Sequence, residues 1–484
     1  MKVADFYTRR AGVLLHPTSL PSGRLDGDVE RWLEFLQQSG FHVWQMLPLG
    51  EPQFGLSPYQ CVSAFSLNPA LLADYPPVDL QAPAFAAFCE NNKSWLDDFA
   101  LYKALKLRFH QKPWFEWPHE YRFRDEASLQ NVRQTQADFI DEMRWQQYCL
   151  LTRWQQVKTL AAQKNILLFG DMPIFVAHDS VDVWVCPQRY LLDEDGMMTV
   201  TTGVPPDYFS ETGQRWGNPH YNWTMMEAEN FSWWIARLRY HFELFDLVRI
   251  DHFRGLESVW MINAECDTAI DGYYQKVPGE ALLQAIAEQT GQLPIVAEDL
   301  GIITEEVVAL RKKFHLPGMS VLQFGFDDHD DNPHKIKNIR PDSVVYTGTH
   351  DNDTSKGWYL DLDIPLREKV MQALHIPFET SQSAQGDTRP AEETQQATDD
   401  YRAYADRVVE QMMIAALQSR ASLCVLPLQD CLRLDSSARM NTPGTEDDNW
   451  RWRFDWPQLD DSLAQQFQLW IGHAQRNNGE TSEN

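Results

Sequence analysis

The chain has 484 residues, with 42 Lys and Arg against 69 Asp and Glu, a formal net charge of −27. That balance excludes a protein that tracks the phosphates of a nucleic acid and one that docks electrostatically on an anionic membrane. A hydrophobic content of 43% excludes global disorder, and 18 Trp call for either core packing or a surface that stacks on flat, weakly polar ligands.

Eight short apolar runs occur along the chain, at residues 12–16, 42–47, 166–171, 247–251, 294–298, 319–324, 343–349 and 424–428. Runs of this length suit strands covered on both faces. Helical patterns lie between several of them. In 28–39 the apolar residues Val29, Trp32, Leu33 and Leu36 fall at helix spacing. Residues 280–289 and 305–314 behave similarly, with Thr304 as N-cap of the latter and Glu305 and Glu306 in its first turn. Alternating strands and helices give an α/β protein, and eight strands give a (β/α)8 TIM barrel with inserted helical and loop subdomains. The alternative is an open doubly wound sheet, which usually advertises a Gly-rich phosphate loop. Neither GxGxxG nor GxxxxGK[ST] occurs.

The expected organisation is one catalytic barrel domain over 1–484 with three excursions. Residues 61–165 form a mainly helical insertion. Residues 179–244, rich in Trp, Tyr, Pro and Gly, form large loops over one barrel end. Residues 379–400, rich in Gln, Thr and Glu, form a flexible surface loop. The polar tail after residue 472 is expected to fray. The first residues, MKVADFYTRRAG, carry no apolar h-region, so no secretory signal is expected. No run approaches the ~18 apolar residues of a membrane span. Seven Cys are scattered without a CxxC pair. This pattern fits a reduced, cytoplasmic chain rather than a disulfide framework or a Cys zinc site.

The strand ends carry the chemistry. Residues two apart share a face of a strand. In 247–251, Arg249 and Asp251 therefore point toward the barrel axis while Val248 and Ile250 point to the outer helices. Val296 shares a face with Glu298, Thr347 and Thr349 share one with Asp351, and Asp171 closes the third run. Four acids at C-terminal strand ends converge on one bowl, where barrel enzymes keep their active sites. Arg249 is positioned to keep Asp251 ionised, and in that field Glu298 can be raised in pKa and act as a proton donor. Any one of these acids alone reads more often as a helix cap or turn residue, and Arg249–Asp251 as a structural ion pair; it is their coincidence that argues for function. Two carboxylates flanking a bond with a third in support is the pattern of retaining glycoside chemistry. A metal site built from His16, His178, His252, His350 and the acids competes with this. HExxH and regularly spaced His pairs are absent, so neither metal nor cofactor is expected.

At this point the sequence resembles a family, the 4-α-glucanotransferases of the amylomaltase (disproportionating enzyme) type, relatives of the α-amylases. The segments that carry the resemblance are WQMLPLGEPQFGLSPYQ (44–60), FGDMPIFVAHDSVDVW (169–184), GVPPDYFSETGQRWGNPHYNW (203–223), LVRIDHFRG (247–255), KVPGEAL (276–282), IVAEDLG (295–301), LPGMSVLQFGFD (316–327), VVYTGTHDNDT (344–354) and ARMNTPGTEDDNW (438–450). They run in order over most of the chain. The resemblance implies Asp251 as nucleophile, Glu298 as general acid/base and Asp351 as third carboxylate, with His350 beside it. It further implies sugar contacts by Tyr59, Asp171, Arg249 and Asn441, and an active-site lid that includes Asp207, Tyr208, Phe209 and Trp216. Phe54 is expected to add an apolar wall, whereas Trp233 and Trp234 read as core. The implied activity is transfer of an α-1,4-glucan segment to the 4-OH of an acceptor glucan or glucose by a retaining double displacement. The implied partners are α-1,4-glucans and maltooligosaccharides. An α-glucan hydrolase using the same carboxylates is the alternative. The insertion around 80–150 has no closely matching segment, and the chain starts almost directly at the first barrel strand, without the N-terminal extension of longer members. Donor length and oligomeric state are not set by the sequence.

Overall fold

The computed structural model describes residues 6, 8–53, 55–206, 210–377, 402–445 and 447–476. Twelve strands lie among them: β1 (Arg10–Leu14), β2 (Val43–Gln45), β3 (Leu167–Met172), β4 (Val200–Val204), β5 (Gln214–Pro219), β6 (Leu247–Ile250), β7 (Ser258–Asn263), β8 (Gly272–Lys276), β9 (Ile295–Ala297), β10 (Gly318–Val321), β11 (Ser343–Tyr346) and β12 (Leu423–Pro427). Eight of these are parallel neighbours in the order β10-β11-β12-β1-β2-β3-β6-β9. Between the two ends of that order, the Ala297 N–H donates to Pro317 O at 2.8 Å. The sheet is thus a nearly closed (β/α)8 barrel, and each of the eight apolar runs supplies one of its strands.

The barrel follows from the sequence pattern. β6, β9 and β11 are buried at every residue, as strands covered on both faces must be. Alternate residues divide between two cores. Val43, Phe169, Leu247, Val296, Val344 and Val425 pack together inside the ring. Trp44, Leu168, Val248, Ile250, Ile295 and Val345 join the larger core under the helices. Arg249 therefore shares its face with Leu247 and looks inward.

The outer helices bury one stripe each. In Gly27–Ser39, Val29, Trp32, Leu33 and Leu36 are buried, the Asp26 carboxylate accepts from Asp28 N, and Gly40 ends the helix at φ 78°, a left-handed cap that suits glycine. Thr304 takes the N-cap position of Glu305–Lys313, but its side chain makes no cap bond to the backbone, and Glu305 and Glu306 of the first turn complement the helix dipole. Between β2 and β3 run the helices Pro83–Asn91, Lys93–Arg108, Glu126–Thr135 and Ala137–Gln163. Trp154 of the last donates its indole N–H to Leu244 O at 3.0 Å. That bond ties the 27-residue helix to Ser232–Leu244, which leads into β6.

The stretch 179–244 contains more regular structure than the loops expected of it. β4 and β5 pair antiparallel and join β7 and β8 in a second sheet, ordered β5-β4-β7-β8. Gly203 permits this pairing, since a Cβ there would stand 2.1 Å from Gln214 O. The expected fraying after residue 472 is also corrected as far as Arg476. This side chain is fully buried and donates to the carbonyls of Arg10, Leu417, Ser419, Ala421 and Ser422. Residues 379–400 lie outside the described residues. Trp32, Trp44, Trp114, Trp154, Trp184 and Trp234 are fully buried, so much of the Trp content is packing. Among the described residues no helix is long and apolar enough to cross a membrane.

Candidate active site

Register builds the floor of the site. Asp171 of β3 lies beside Arg249 of β6, which lies beside Val296 of β9. Arg249 Nη1 donates to both oxygens of Asp171 at 2.8 and 2.7 Å, and its Nη2 lies 2.9 Å from Asp251 Oδ1, just past the strand end. One guanidinium thus bridges two carboxylates. The Asp171 side chain has no exposed surface and that of Arg249 is 4% exposed. Charges this deep persist only when paired. Against the cost of burial, Asp171 and Asp251 hold the Arg249 pKa well above its ordinary value.

A second chain of bonds climbs from Asp171. Tyr59 OH donates to Asp171 Oδ2 at 2.7 Å and lies 2.8 Å from His350 Nε2, the two rings stacked 5.3 Å apart. Since the Tyr59 proton is used on Asp171, its oxygen accepts from His350, which places the imidazole proton on Nε2. Burial lowers the His350 pKa and raises that of Tyr59, so both groups are neutral. His350 Nε2 is also 3.3 Å from Asp351 Oδ2. From the other side Asn441 Nδ2 donates to Asp351 Oδ1 at 2.6 Å, while Arg439 donates to Asp351 O and Asn441 O at 2.8 and 2.7 Å.

Glu298 is anchored differently. It follows β9, and its Oε2 and Oε1 accept from the backbone N–H of His252 and Leu300 at 2.7 and 2.9 Å. The turn that aims the first of these has His252 at φ 51°, a left-handed conformation costly for a non-glycine residue and characteristic of functional turns. Burial raises Glu298 above the ordinary carboxylate range, opposed by Arg249 and the two amides. Burial likewise raises Asp251, opposed by Arg249 and reinforced by Asp171, Glu298 and Asp351. The bowl therefore retains a proton well above pH 4.

Aromatic groups frame the bowl. Trp216 of β5 meets the His252 ring edge-on at 4.9 Å, and Trp450 lies 5.9 Å from Tyr59 and 6.0 Å from His350. Gln60 Nε2 reaches Trp216 O at 3.3 Å and exchanges amide hydrogen bonds with Asn218. Asp171, Arg249, Asp251, Glu298, Asp351, His350, Tyr59, Asn441 and Trp216 are thus all brought into one connected neighbourhood. Asp207, Tyr208, Phe209 and Phe54 lie outside the described residues. Trp450, Arg439 and Gln60 are not singled out by the sequence, although all three sit inside the motif segments, and His252 enters there only as one possible metal ligand. Trp233 and Trp234 are buried in the core. Among the described residues no group of three His, Cys, Asp or Glu is placed to hold a metal ion.

A 4-alpha-glucanotransferase family model matches residues 14–78 and 77–459. A 4-alpha-glucanotransferase of Thermus thermophilus is 43% identical over 493 aligned positions, covering 92% of this chain and 94% of that protein. A chloroplastic/amyloplastic 4-alpha-glucanotransferase of Arabidopsis thaliana is 37% identical, covering 92% and 81%. The structure of an amylomaltase from Streptococcus agalactiae in complex with acarbose superposes with a TM-score of 0.86 at 29% identity, covering 97% of this chain and all of that one.

Proposed function

We propose a division of labour among the site residues that proceeds from one premise: the chain belongs to the 4-alpha-glucanotransferase family and has that activity. The donor is an α-1,4-glucan or maltooligosaccharide lying across the bowl. Glu298 carries the proton and gives it to the leaving glycosidic oxygen while Asp251 attacks the anomeric carbon. The product is a β-linked glycosyl-enzyme. Glu298, now a carboxylate, takes the proton from the 4-OH of an acceptor sugar, that oxygen bonds to the anomeric carbon, and Asp251 leaves. Two inversions restore the α configuration.

The observation that carries this assignment is the unequal anchoring of the two carboxylates. Asp251 has a guanidinium at 2.9 Å, which favours its anion. Glu298 rests on two peptide N–H groups, dipoles that favour its anion less than a full positive charge in contact does. Asp351, held by Asn441 and His350, is aligned to bind the ring hydroxyls of the distorted sugar, an interaction that strengthens toward the transition state. Tyr59 and Trp216 offer faces for the sugar rings, and Trp216 shields the turn beside Asp251 from water. A cytoplasmic location fits the seven free cysteines and maltodextrin chemistry.

The test is Glu298→Gln. With a donor whose leaving group needs no proton, this variant should accumulate a glycosyl-enzyme, read as added sugar mass on the intact protein. Given maltotriose, the unmodified enzyme should yield glucose together with longer oligomers. No added mass would remove Glu298 from the acid/base role, and shorter products alone would make the enzyme a hydrolase.

A further inference from the structure

A small cavity lies behind the catalytic face, walled by the residues just past β1, β11 and β12. Its volume is about 30 Å³, and His16, His350, Asn352, Asp353, Arg439 and Trp452 are among its walls. A buried water needs about 10–15 Å³ and two to four polar partners, so one or two waters fit.

His16 is the unusual member of this wall. Its ring is buried, and its Nδ1 has no hydrogen-bond partner. An orphaned ring nitrogen costs on the order of 1–3 kcal/mol in a dry interior. The Leu47 backbone lies against the ring and favours a proton on it, and because Nδ1 is without a partner that proton is assigned to Nε2. Burial, helped by the neighbouring His350, pushes the His16 pKa down to about 3, so the ring is neutral. With its proton on Nε2, His16 presents a bare Nδ1 lone pair.

His350 arrives at the same state by a different route. Its Nε2 proton is directed to Tyr59 OH, whose own proton is committed to Asp171. Its Nδ1 is therefore an acceptor also. Two neutral imidazoles that wall one cavity, each with a bare Nδ1, match the two protons of a single water.

We propose that His16 is a positioning residue for glucanosyl transfer. It holds a water in this cavity that donates one proton to His16 Nδ1 and the other to His350 Nδ1. The bridge fixes the His350 proton on Nε2. With the opposite tautomer Nε2 would be bare, and Tyr59 would have to choose between donating to His350 and donating to Asp171. The water thus orders the whole chain from His350 through Tyr59 to the Asp171–Arg249–Asp251 floor. No bond is made or broken at His16. This inference rests on the reading of His350 as a sugar-site residue.

The test uses the whole protein with ring nitrogens labelled with 15N, free of sugar. The expected spectrum shows both His350 and His16 neutral, with protonated Nε2 and bare Nδ1. In His16→Phe, which has no acceptor, His350 should become a mixture of tautomers. The kcat on maltotriose should fall about tenfold, the loss of one buried hydrogen bond, with KM within twofold. In His16→Asn, whose Oδ1 reaches the place of Nδ1, the single tautomer and most of kcat should return. A protonated Nδ1 on either ring in the unmodified enzyme overturns the proposal, and this reading stands whether or not His16→Phe folds. Unchanged kcat and spectrum in His16→Phe, or a loss in His16→Asn equal to that in His16→Phe, also overturn it. The kinetics of His350→Ala test the sugar-site reading separately, since the water bridge is read without substrate.

Discussion

Asp251 and Glu298 are two carboxylates of one bowl, both raised by burial, yet they are anchored by opposite means. Asp251 stands at the end of a line of charges, Asp171–Arg249–Asp251, assembled by strand register. Glu298 stands outside that line on the amides of His252 and Leu300. A guanidinium brings a full positive charge that favours the anion strongly, whereas peptide N–H dipoles favour it less. The difference teaches how one buried site gives two raised carboxylates unlike partners: Arg249 pulls against the Asp251 proton from contact distance, while Glu298 meets only peptide dipoles at contact.

The most severe way to break the comparison is Asp251→Asn. Transfer activity should fall on the order of 10⁴-fold or more, because no other group can form the glycosyl-enzyme. Maltotriose disproportionation at the normal rate would end the assignment. The same variant sharpens the electrostatic half of the argument through stability. A carboxylate raised above its unfolded pKa near 4 binds more protons folded than unfolded between those two values. The slope of unfolding free energy with pH is therefore negative there, and stability drains away as pH rises through the folded pKa. Asp251 is such a group. Asp251→Asn should thus gain melting temperature relative to the unmodified enzyme, and the gain should grow from pH 5 to pH 9. A gain that shrinks with pH would mean that Arg249 outweighs burial at this position.

Next in size is removal of the cation. Arg249→Met leaves Asp171 buried and uncompensated, which should cost about 3–5 kcal/mol in urea unfolding as well as most of the activity. Arg249→Met combined with Asp171→Asn should recover much of the stability and none of the transfer rate. Equal destabilisation in the single and double variants would show that Arg249 acts through its packing rather than its charge.

The sequence already contained most of this arrangement. Period-two alternation in 247–251 places Arg249 and Asp251 on one face, and the division of Leu247 and Val248 between two cores follows the same rule. Strand pairing was legible only as likeness among the eight runs; that Asp171 sits directly beside Arg249 is a matter of register between residues 78 apart. The second sheet is not legible because β5 is interrupted by Gly217 and Pro219 and takes its order from a pairing with β4 alone. Arg476 is not legible because five carbonyl partners, from Arg10 to Ser422, meet only in the folded chain. In the sequence His16 is one possible metal ligand among several. Its orphaned Nδ1 is a property of the packed ring and has no trace in the sequence.

The gentlest probe concerns Asp351, a carboxylate held from both sides by neutral groups. Asn441 Nδ2 donates to Oδ1 at 2.6 Å and His350 Nε2 stands 3.3 Å from Oδ2, so two neutral groups orient it from opposite sides. Asn441→Ala removes one of them and leaves Arg439 on the Asp351 backbone. The carboxylate keeps its place and loses its fixed rotation. Loss of one hydrogen bond to a charged group is about 1.5–3 kcal/mol, and the partly exposed carboxylate regains part of that from water, so kcat should fall about tenfold. If Asp351 acts on the distorted sugar, the fall should appear in kcat and kcat/KM together, with KM for maltotriose nearly unchanged. A rise in KM at constant kcat would instead make Asn441 an ordinary sugar contact, and would leave Asp351 anchored by His350 alone.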